Sequence, residues 1–353
     1  MNKKLLVLNL GIDSDNTSLA FTQTWVNKLS QHYEKIDVIT LRVGDRYKLN
    51  ENVNLYYINT KNSNKSKIKQ IIDLYKISKK LINNNEYVHC FAHMAPLQHL
   101  IAKYFLYKNQ INSTLWFTHA GPKFGIKWVI LWLSSYLANN IVTASKYSFP
   151  FKFKKLIITG HGINFDKFYQ NKENYELQKF LILSRISKSK NIDNTLENFT
   201  KVKNFKNFNL DIIGGTLNKN DEEYLEYLKV KYSKYRNINF LGKKSHDSLP
   251  SILKKYDVSI NNAPRGFFDK AVLESAAAGL ICFYKSDDFN FLYEEPFQKI
   301  LLFTEDNLYK KIDLLESKSN ASIKDSVLFS QTKVQKHSLN NVVIQLVKIF
   351  NLN

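Results

Sequence analysis

Short apolar runs of strand length alternate along the chain with longer segments of helical spacing. In the first half, the predicted strands are Leu5–Leu10, Ile36–Leu41, Val53–Ile58, Tyr87–Phe91, Thr114–Phe117, Ile141–Ala144 and Leu156–Thr159. Apolar positions three and four apart predict helices between them, over Thr17–Gln31, Lys65–Leu81 and Pro96–Tyr107. Because this alternation is typical of strands joined by crossover helices, it predicts an α/β fold with a parallel sheet covered on both faces.

The alternating pattern stops in a polar stretch, Asp166–Glu176, and then starts again. The second series of predicted strands is Phe180–Leu183, Leu210–Ile213, Asn239–Leu241, Val258–Asn261 and Leu280–Phe283. We therefore predict two consecutive α/β domains, over residues 1–165 and 177–330. Apolar residues of the tail fall on one side of a helix: Leu339, Val342, Val343, Leu346, Val347 and Phe350. We expect this helix, within 335–352, to return to the first domain, and packing on the second domain is the alternative.

Composition narrows the class of protein. A length of 353 residues with 44% hydrophobic residues suffices for two globular cores. Cys90 and Cys282 lie in apolar runs far apart, which is typical of buried thiols in a reducing compartment. The first apolar run is short and is followed by Asp13, so it indicates a buried strand rather than a signal peptide. No run reaches the roughly 18 apolar residues of a membrane span, and we expect a cytoplasmic protein.

The formal net charge of +20 indicates an anionic partner, although the abundance of lysine and asparagine shows that part of it is compositional background. A phosphorylated substrate and a phospholipid surface both fit, whereas no nucleic-acid-binding motif accompanies the charge, and we expect no nucleic acid partner. An apolar helix is predicted within 123–138 and contains Trp128 and Trp132. Either it docks on an anionic membrane, or its tryptophans are buried in the core of the first domain.

The segment Asp269–Gly279 carries the strongest chemical signal. Its small residues, at 275–279, are expected to let a helix start close to a strand end, where backbone N–H groups suit a pyrophosphate. One turn into that helix, Glu274 can accept two hydroxyl hydrogen bonds from a ribose. A place on a solvated helix face is the alternative for this glutamate.

A second signal, Ser184–Lys190, follows the first strand of the second domain. Arg185 and Lys190 lie five apart before a helix, a placement that suits two oxygens of one diphosphate. Arginine is scarce in this chain, with five among 51 basic residues. Arg185 and Arg265 are therefore more informative than any single lysine, and both are expected at strand ends beside one crevice.

These segments resemble those of glycosyltransferase family 4. SRISKSKNID is similar to the family's phosphate-binding segment, and LDIIGGTLNKN, INFLGKKSHDSLPSILKKYDVSINNA and FDKAVLESAAAG follow in the family's order. TLWFTHAG, IVTAS and ITGHGINFDKF match in the first domain. The resemblance covers nearly the whole chain. It implies a GT-B fold of two Rossmann-like doubly wound domains facing a cleft, a nucleotide-diphosphate-sugar donor, retention of anomeric configuration and no obligatory metal.

The resemblance also implies roles for single residues. On the donor side, Arg185 and Lys190 are expected to bind the diphosphate, and Glu274 the nucleotide ribose. The other donor-binding residues that it implies are Arg265, Gly266, Phe267, Phe268, Asp269 and Lys270. His119 matches the family histidine near the reacting carbon, and Arg185, Lys190 and His119 are the expected catalytic residues. Asp15, Asn16 and His93 are expected on the acceptor side, where a sugar or a lipid-linked sugar binds.

One departure from the family pattern concerns the transferred sugar. Position 266 is glycine where the family often has a glutamate that meets sugar hydroxyls, and the segment resembles a variant with Asp269 and Lys270 before the Leu-Glu. Without this glutamate, two alternatives to a transferase remain open: a degenerate scaffold in a polysaccharide assembly complex, or a GT-B-like sugar-nucleotide epimerase. Asp13-Ser14-Asp15 has the form of a metal-binding motif, but directly after the first strand it indicates a loop and helix cap.

Overall fold

The computed structural model describes residues 3–13, 20–63, 65–118, 121–122 and 124–351. The chain divides into two compact units. Unit 1 is Met1–Gly162 with Leu339–Asn353, and unit 2 is Ile163–Ser338.

The strands fall where the apolar runs predict them, to within about two residues at either end. They are β1 (Lys4–Ile12), β2 (Lys35–Val43), β3 (Val53–Thr60), β4 (Tyr87–His93), β5 (Ser113–Trp116), β6 (Asn140–Thr143), β7 (Leu156–Ile158), β8 (Lys179–Leu183), β9 (Asn209–Ile213), β10 (Ile238–Gly242), β11 (Val258–Asn261) and β12 (Ile281–Tyr284).

Helices alternate with these strands. They are α1 (Ala20–Ser30), α2 (Lys67–Asn84), α3 (Pro96–Lys108), α4 (Ile126–Leu137), α5 (Phe165–Phe168), α6 (Ile192–Phe199), α7 (Lys219–Tyr232), α8 (Leu249–Leu253), α9 (Lys270–Ala277), α10 (Phe297–Leu301), α11 (Leu308–Glu316), α12 (Asn320–Gln335) and α13 (Leu339–Phe350). Among the described residues, no helix has both the length and the hydropathy needed to cross a membrane.

Unit 1 is built on a parallel sheet with the strand order β3-β2-β1-β4-β5-β6-β7. Its two faces bury separate apolar cores. One core packs under α2, α3 and α4, and the other under α1 and α13. The alternation of inward positions along β1 explains the division, because Leu6 and Leu8 belong to the first core whereas Leu5 and Val7 belong to the second. The expected return of the C-terminal helix to the first domain is confirmed.

Unit 2 is a smaller parallel sheet with the order β10-β9-β8-β11-β12. The polar segment after α5 belongs to this unit, because Tyr175 donates its hydroxyl to the carbonyl of Gly279 and Lys172 forms an ion pair with Asp257. The two doubly wound parallel sheets that the sequence predicts are therefore present. Cys90 and Cys282 are free and buried, as expected, and burial raises the pKa of each thiol to about 12.

The position of α4 excludes one of the two alternatives for its tryptophans, namely burial in the core. Trp128 is half-buried with its ring edge against Phe151, at 5.2 Å between centroids. Trp132 remains 38% exposed and stacks on Tyr136. Burial of both side chains in the core is therefore wrong, because the side of the helix that faces the sheet is occupied by Leu131, Ser134 and Ser135.

Candidate active site

The strand order of unit 2 creates a switch point between β8 and β11. From β8 the chain continues to β9 on one side of the sheet, and from β11 it continues to β12 on the other. In doubly wound sheets, ligands bind outside the carboxyl ends of the strands at this point. The predicted donor-side residues of unit 2 follow these two strands, so the topology brings them to one sheet edge.

The loop after β8 holds Arg185 in a fixed place. The N–H of Ser184 donates to the carbonyl of Ile213 at 3.1 Å, and the N–H of Ile186 donates to the carbonyl of Gly215 at 3.0 Å. Gly214 permits this close approach, since a Cβ there would lie 1.7 Å from the carbonyl oxygen of Ser184. Arg185 itself is exposed, and its guanidinium makes no hydrogen bond or ion pair within the part of the chain that the structure describes.

Lys190 has a carboxylate partner. Its ammonium lies 2.5 Å from Oδ2 of Asp269, which also accepts a hydrogen bond from the side chain of Asn261 at 3.2 Å. The Lys190 side chain is 9% exposed and lies over the ring of Phe267, at 5.7 Å from its centroid. Burial disfavours the charged carboxylate, but the charge of Lys190 and the hydrogen bonds from Lys190, Asn261 and Ala271 together outweigh it and keep the pKa of Asp269 below its ordinary value. The Lys190–Asp269 ion pair therefore carries no net charge.

Asp269 also begins the helix of the strongest sequence motif. Its side chain caps α9 by accepting the N–H of Ala271 at 3.4 Å, so the helix starts at Lys270. Glu274 lies one turn into the helix, as expected, but the small residues at 275–279 do not lie at its start. They form its buried carboxyl end instead, because a side chain as small as alanine lets the last turn pack against the start of β12. The helix N-terminus that follows β11 begins with Asp269 and Lys270.

Lys270 is a titratable group within this helix start. Burial lowers its pKa well below 10.5, and the negative charge of Glu274 opposes this effect only in part. A new negative charge nearby would stabilise the protonated ammonium, so the protonation of Lys270 is sensitive to an anionic ligand.

Glu274 is buried, with 7% of its surface exposed, and the solvated helix face is excluded for it. One carboxylate oxygen, Oε1, lies 2.9 Å from Nε2 of His246, and a carboxylate there assigns the proton to that nitrogen. The imidazole is held in turn against the ring of Phe168, at 5.4 Å between centroids. The carboxylate thus has a fixed orientation one turn into α9.

In the segment before α9, several groups already contact other residues of unit 2. Arg265 donates two hydrogen bonds to the carboxylate of Asp287, at 2.7 and 2.6 Å. Gly266 has a φ of +87°, in the region that favours glycine, and its N–H donates to Oδ2 of Asp288 at 2.9 Å. Phe268 is buried and stacks on Phe289, at 4.9 Å between centroids. Within this segment the half-buried Phe267 lies beside the Lys190 pair.

Some predicted residues lie elsewhere or outside the described residues. His119, Asp15 and Asn16 lie outside the described residues. His93 is placed in unit 1, at the end of β4, with its ring 5.1 Å from that of Trp116. Within the described ranges, no group of three or more histidine, cysteine or acidic side chains is placed to hold a metal ion.

Two groups at this edge are not singled out by the sequence. His246 contacts Glu274 from 28 positions earlier in the chain, so only the tertiary structure pairs them. Asn262 binds the helix that follows β8, donating to Thr195 at 3.1 Å, while its carbonyl accepts from Asn191 at 3.2 Å. The position of Asn262 directly after an apolar strand is the one sequence signal that indicates it. These amides tie the two loops of the switch point together.

Residues 163–321 match the family described as glycosyl transferases group 1. This range lies within unit 2 and includes the loop after β8 and helix α9. A comparison with curated proteins gives no match.

Several solved structures are similar to the chain. A glycosyltransferase from Rickettsia africae has a TM-score of 0.75 at 14% identity, covering 99% of this chain and 98% of that one. Sucrose-phosphate synthase from Thermosynechococcus elongatus has 0.75 at 12% identity, covering 99% and 98%. Alr3699/HepE of Anabaena, in complex with UDP and glucose, has 0.73 at 11% identity, covering 99% and 100%. At these identities the likeness confirms the predicted GT-B fold and no more. Together with the family match in unit 2, the GT-B fold supports a glycosyltransferase.

Proposed function

We propose that the protein is a retaining hexosyltransferase of glycosyltransferase family 4, in the variant with Asp269 and Lys270, which moves a sugar from a nucleotide-diphosphate sugar to an acceptor hydroxyl. The observation that carries the proposal is the sheet edge of unit 2. There an exposed arginine, a helix N-terminus and a buried carboxylate follow the two strands of one switch point. These are the groups that a diphosphate and a ribose require.

Each group has a proposed part in donor binding. Arg185 donates to the diphosphate in a planar fork that matches two phosphate oxygens. The N-terminus of α9 adds backbone N–H groups and a partial positive charge. Glu274, already oriented by His246, accepts hydrogen bonds from the ribose hydroxyls. Lys190 and Phe267 form the neighbouring wall, with the lysine held by Asp269. A UDP complex of the structurally similar Alr3699/HepE supports a nucleoside diphosphate as the ligand class.

The proposed reaction is a front-face displacement. The bond between the anomeric carbon and the diphosphate oxygen breaks, and its electron pair leaves with the diphosphate. The acceptor oxygen forms the new bond on the same face, and its proton passes to the leaving oxygen. The largest change in charge occurs on the diphosphate, so Arg185 stabilises the transition state more than the ground state. His119 is proposed near the reacting carbon.

We propose that no metal is obligatory. The charge on the leaving group is met by Arg185, by the N-terminus of α9 and by Lys270 once the diphosphate stabilises its protonated form, so a divalent cation is not needed for that purpose. Transfer in the presence of EDTA should equal transfer with added magnesium. A large loss in EDTA that magnesium restores would refute metal independence and leave the assignment of the donor site unchanged.

The acceptor is proposed to be a sugar or a lipid-linked sugar in surface polysaccharide or glycolipid synthesis, bound on the side of Asp15, Asn16 and His93. We therefore propose that the enzyme works in the cytoplasm, at the inner face of the cell membrane.

The test is a panel of nucleotide sugars, with donor consumption and product analysis as the readout. The proposal predicts slow hydrolysis of one donor without acceptor and release of the sugar with retained configuration. An epimerised nucleotide sugar as the product would refute it in favour of an epimerase. Calorimetric titration with UDP and GDP separates the remaining alternative, a scaffold. That alternative is favoured by Gly266, whose N–H is occupied by Asp288 and which brings no carboxylate. Absence of binding to either diphosphate would support the scaffold.

A further inference from the structure

Helix α4 exposes more large apolar side chains than it buries. Its buried side carries Leu131 and two serines, Ser134, which bonds to the imidazole of His99 at 2.9 Å, and Ser135, which bonds to a backbone carbonyl of the same helix. Its exposed side carries the large apolar residues Ile126 (72% exposed), Val129 (40%), Trp132 (38%), Leu133 (37%), Tyr136 (60%) and Leu137 (40%). A surface helix normally turns its apolar stripe to the core. The outward stripe of α4 therefore needs another explanation.

The neighbouring helices extend this apolar surface. Helix α3 packs between α2 and α4 on the same side of the sheet of unit 1. Helix α2 exposes Ile68, Ile71, Ile72 and Tyr75, and α3 exposes Leu97, Tyr104 and Tyr107. An open groove between them is lined by Ile71, Ile72, Tyr75 and Ile101, with Lys76 and Lys79 at its border. We call the outer surface of these three helices the α2–α4 face.

The opposite side of the same sheet shows that this exposure is local. There α1 and α13 cover the second core, and among the described residues of those two helices the one large apolar side chain that is exposed is Ile344. Both faces belong to one unit and one sheet, so a general excess of apolar residues does not explain the difference. Extended apolar patches on a protein surface mark interaction sites.

The charge on the α2–α4 face is almost entirely positive. Helix α2 contains five lysines, all exposed, at positions 67, 69, 76, 79 and 80, and one acidic residue, Asp73, which pairs with Lys65. Helices α3 and α4 add lysines and no acid. Next to α4, Lys152 and Lys154 are exposed on either side of Phe153, in the segment whose Phe151 contacts Trp128. Lysine stems can lie along apolar surface while their ammonium groups stay in water.

We propose that the α2–α4 face is a docking surface for an anionic phospholipid bilayer. Outward apolar and aromatic side chains suit the boundary between headgroups and acyl chains, and lysines beside them suit anionic headgroups. A second copy of the chain fits less well, because pairing this face with itself would bring two sets of lysines together. This proposal depends on the proposed location at the membrane, and it does not depend on the protein's ability to transfer a sugar. Its test therefore uses binding as the readout.

The experiment is co-sedimentation of the full chain with vesicles of phosphatidylcholine alone or mixed with phosphatidylglycerol. The wild type should pellet with the mixed vesicles and lose most of this binding in about 1 M salt, where the Debye length is about 3 Å. The variant Ile126→Ser/Trp132→Ser/Tyr136→Ser should lose at least about tenfold in partitioning, since each removed apolar side chain no longer enters the interface. Its matched control is Ile344→Ser, on the opposite face, which should partition as the wild type does.

A charge variant tests the second half of the proposal. Lys79→Gln/Lys80→Gln should weaken binding by about fivefold per lysine, whereas Lys254→Gln/Lys255→Gln, exposed lysines of unit 2, should weaken it far less. UDP calorimetry on every variant reports folding and donor binding separately from docking. The proposal is overturned if the wild type stays in the supernatant or binds both vesicles equally. It is also overturned if the controls lose as much vesicle binding as the variants do. The same holds if the serine variant binds vesicles as the wild type does and differs from it only in forming fewer dimers.

Discussion

The two sheets have the same topology at their switch points, and the described residues at the end of β4 differ greatly from those that follow β8 and β11. In unit 1 the order reverses beside β1 and β4, as it does in unit 2 beside β8 and β11. The edge in unit 2 carries charged groups, among them Arg185, the Lys190–Asp269 pair and Glu274. The corresponding end of β4 in unit 1 carries His93 in an aromatic cluster, with Trp25 and Trp116 at 4.2 Å between centroids.

This difference teaches that the shared scaffold decides where a ligand binds, and the residues after the strands decide which chemistry it has. Formal charges suit a diphosphate, whereas neutral aromatic rings and an imidazole suit an uncharged partner. We therefore expect substitutions in unit 2 to change nucleotide binding and leaving-group chemistry, and substitutions around His93 to change acceptor use.

Arg185 should give the largest effect of the charged edge. Asp269 neutralises Lys190, and Arg185 is an exposed cation of the loop after β8 whose guanidinium has no partner among the described residues; its planar fork suits a diphosphate better than the single ammonium of the exposed Lys188 does. Arg185→Ala should lower kcat by about 10²–10³, comparable to the loss of one preorganised donor. The measurement is turnover with the donor found in the nucleotide-sugar panel.

The matched control for that variant is Arg236→Ala. Arg236 is also exposed in unit 2, but it precedes β10 and so lies at the amino ends of the strands, away from the switch point. It should retain wild-type turnover. Near-normal kcat in Arg185→Ala would remove the charged edge from the mechanism and break the comparison between the two sheets.

Glu274 should give the next largest effect, in binding. Glu274→Gln should weaken UDP binding by about 10- to 100-fold, because a charge-assisted hydrogen bond to the ribose is lost. The amide oxygen of glutamine still accepts from His246, so the contact that orients the side chain is kept. Calorimetry measures the change, with Glu223→Gln on the exposed side of α7 as the control. Equal UDP affinity in both variants would contradict a ribose-binding role.

His93 tests the other half of the comparison. His93→Ala should raise the KM for the acceptor by about tenfold, the cost of one lost hydrogen bond to a ligand, and leave UDP affinity unchanged. Thermal unfolding must accompany the kinetics, because the ring packs on Trp116. His32→Ala, an exposed histidine of the same unit, is the control. A matching loss of UDP affinity in His93→Ala would show that the chemistry is not divided between the units in this way.

Much of the fold could be predicted because parallel strands are buried on both faces and therefore appear as continuous apolar runs. The same logic failed for α4. An apolar helix is expected to be buried, but periodicity does not tell which side faces the sheet, and here Ser134 occupies the buried side by bonding to His99. That partner is 35 residues away in the chain, so it could not be found in a local pattern.

The candidate site was predictable in its strand ends and not in its pairings. Arg185 and Glu274 stand where strand–helix junctions place functional groups. The partner of Lys190 is Asp269, 79 positions later, and that of Glu274 is His246. The first contact forms because β8 and β11 are neighbouring strands, whereas the second joins loops that follow β10 and β11, two strands with β9 and β8 between them. The start of α9 is set by the N-cap Asp269, and the small residues at 275–279 form the buried carboxyl end of the helix.

Lys270 offers the smallest effect and a way to detect the diphosphate through a proton. Burial holds its pKa well below 10.5 in the unliganded protein, and a bound diphosphate should raise it. Between these two pKa values, binding takes up as much as one proton, so affinity should fall as pH rises through the lower of them. Titrating UDP at several pH values between about 7.5 and 9, where the phosphates are largely ionised, in buffers of different ionisation enthalpy measures this uptake. Lys270→Met should abolish it while Arg185 still binds the ligand. If the wild type shows no dependence on the buffer at any of these pH values, the diphosphate does not lie near the start of α9, and the charged edge of unit 2 would have to serve another anion.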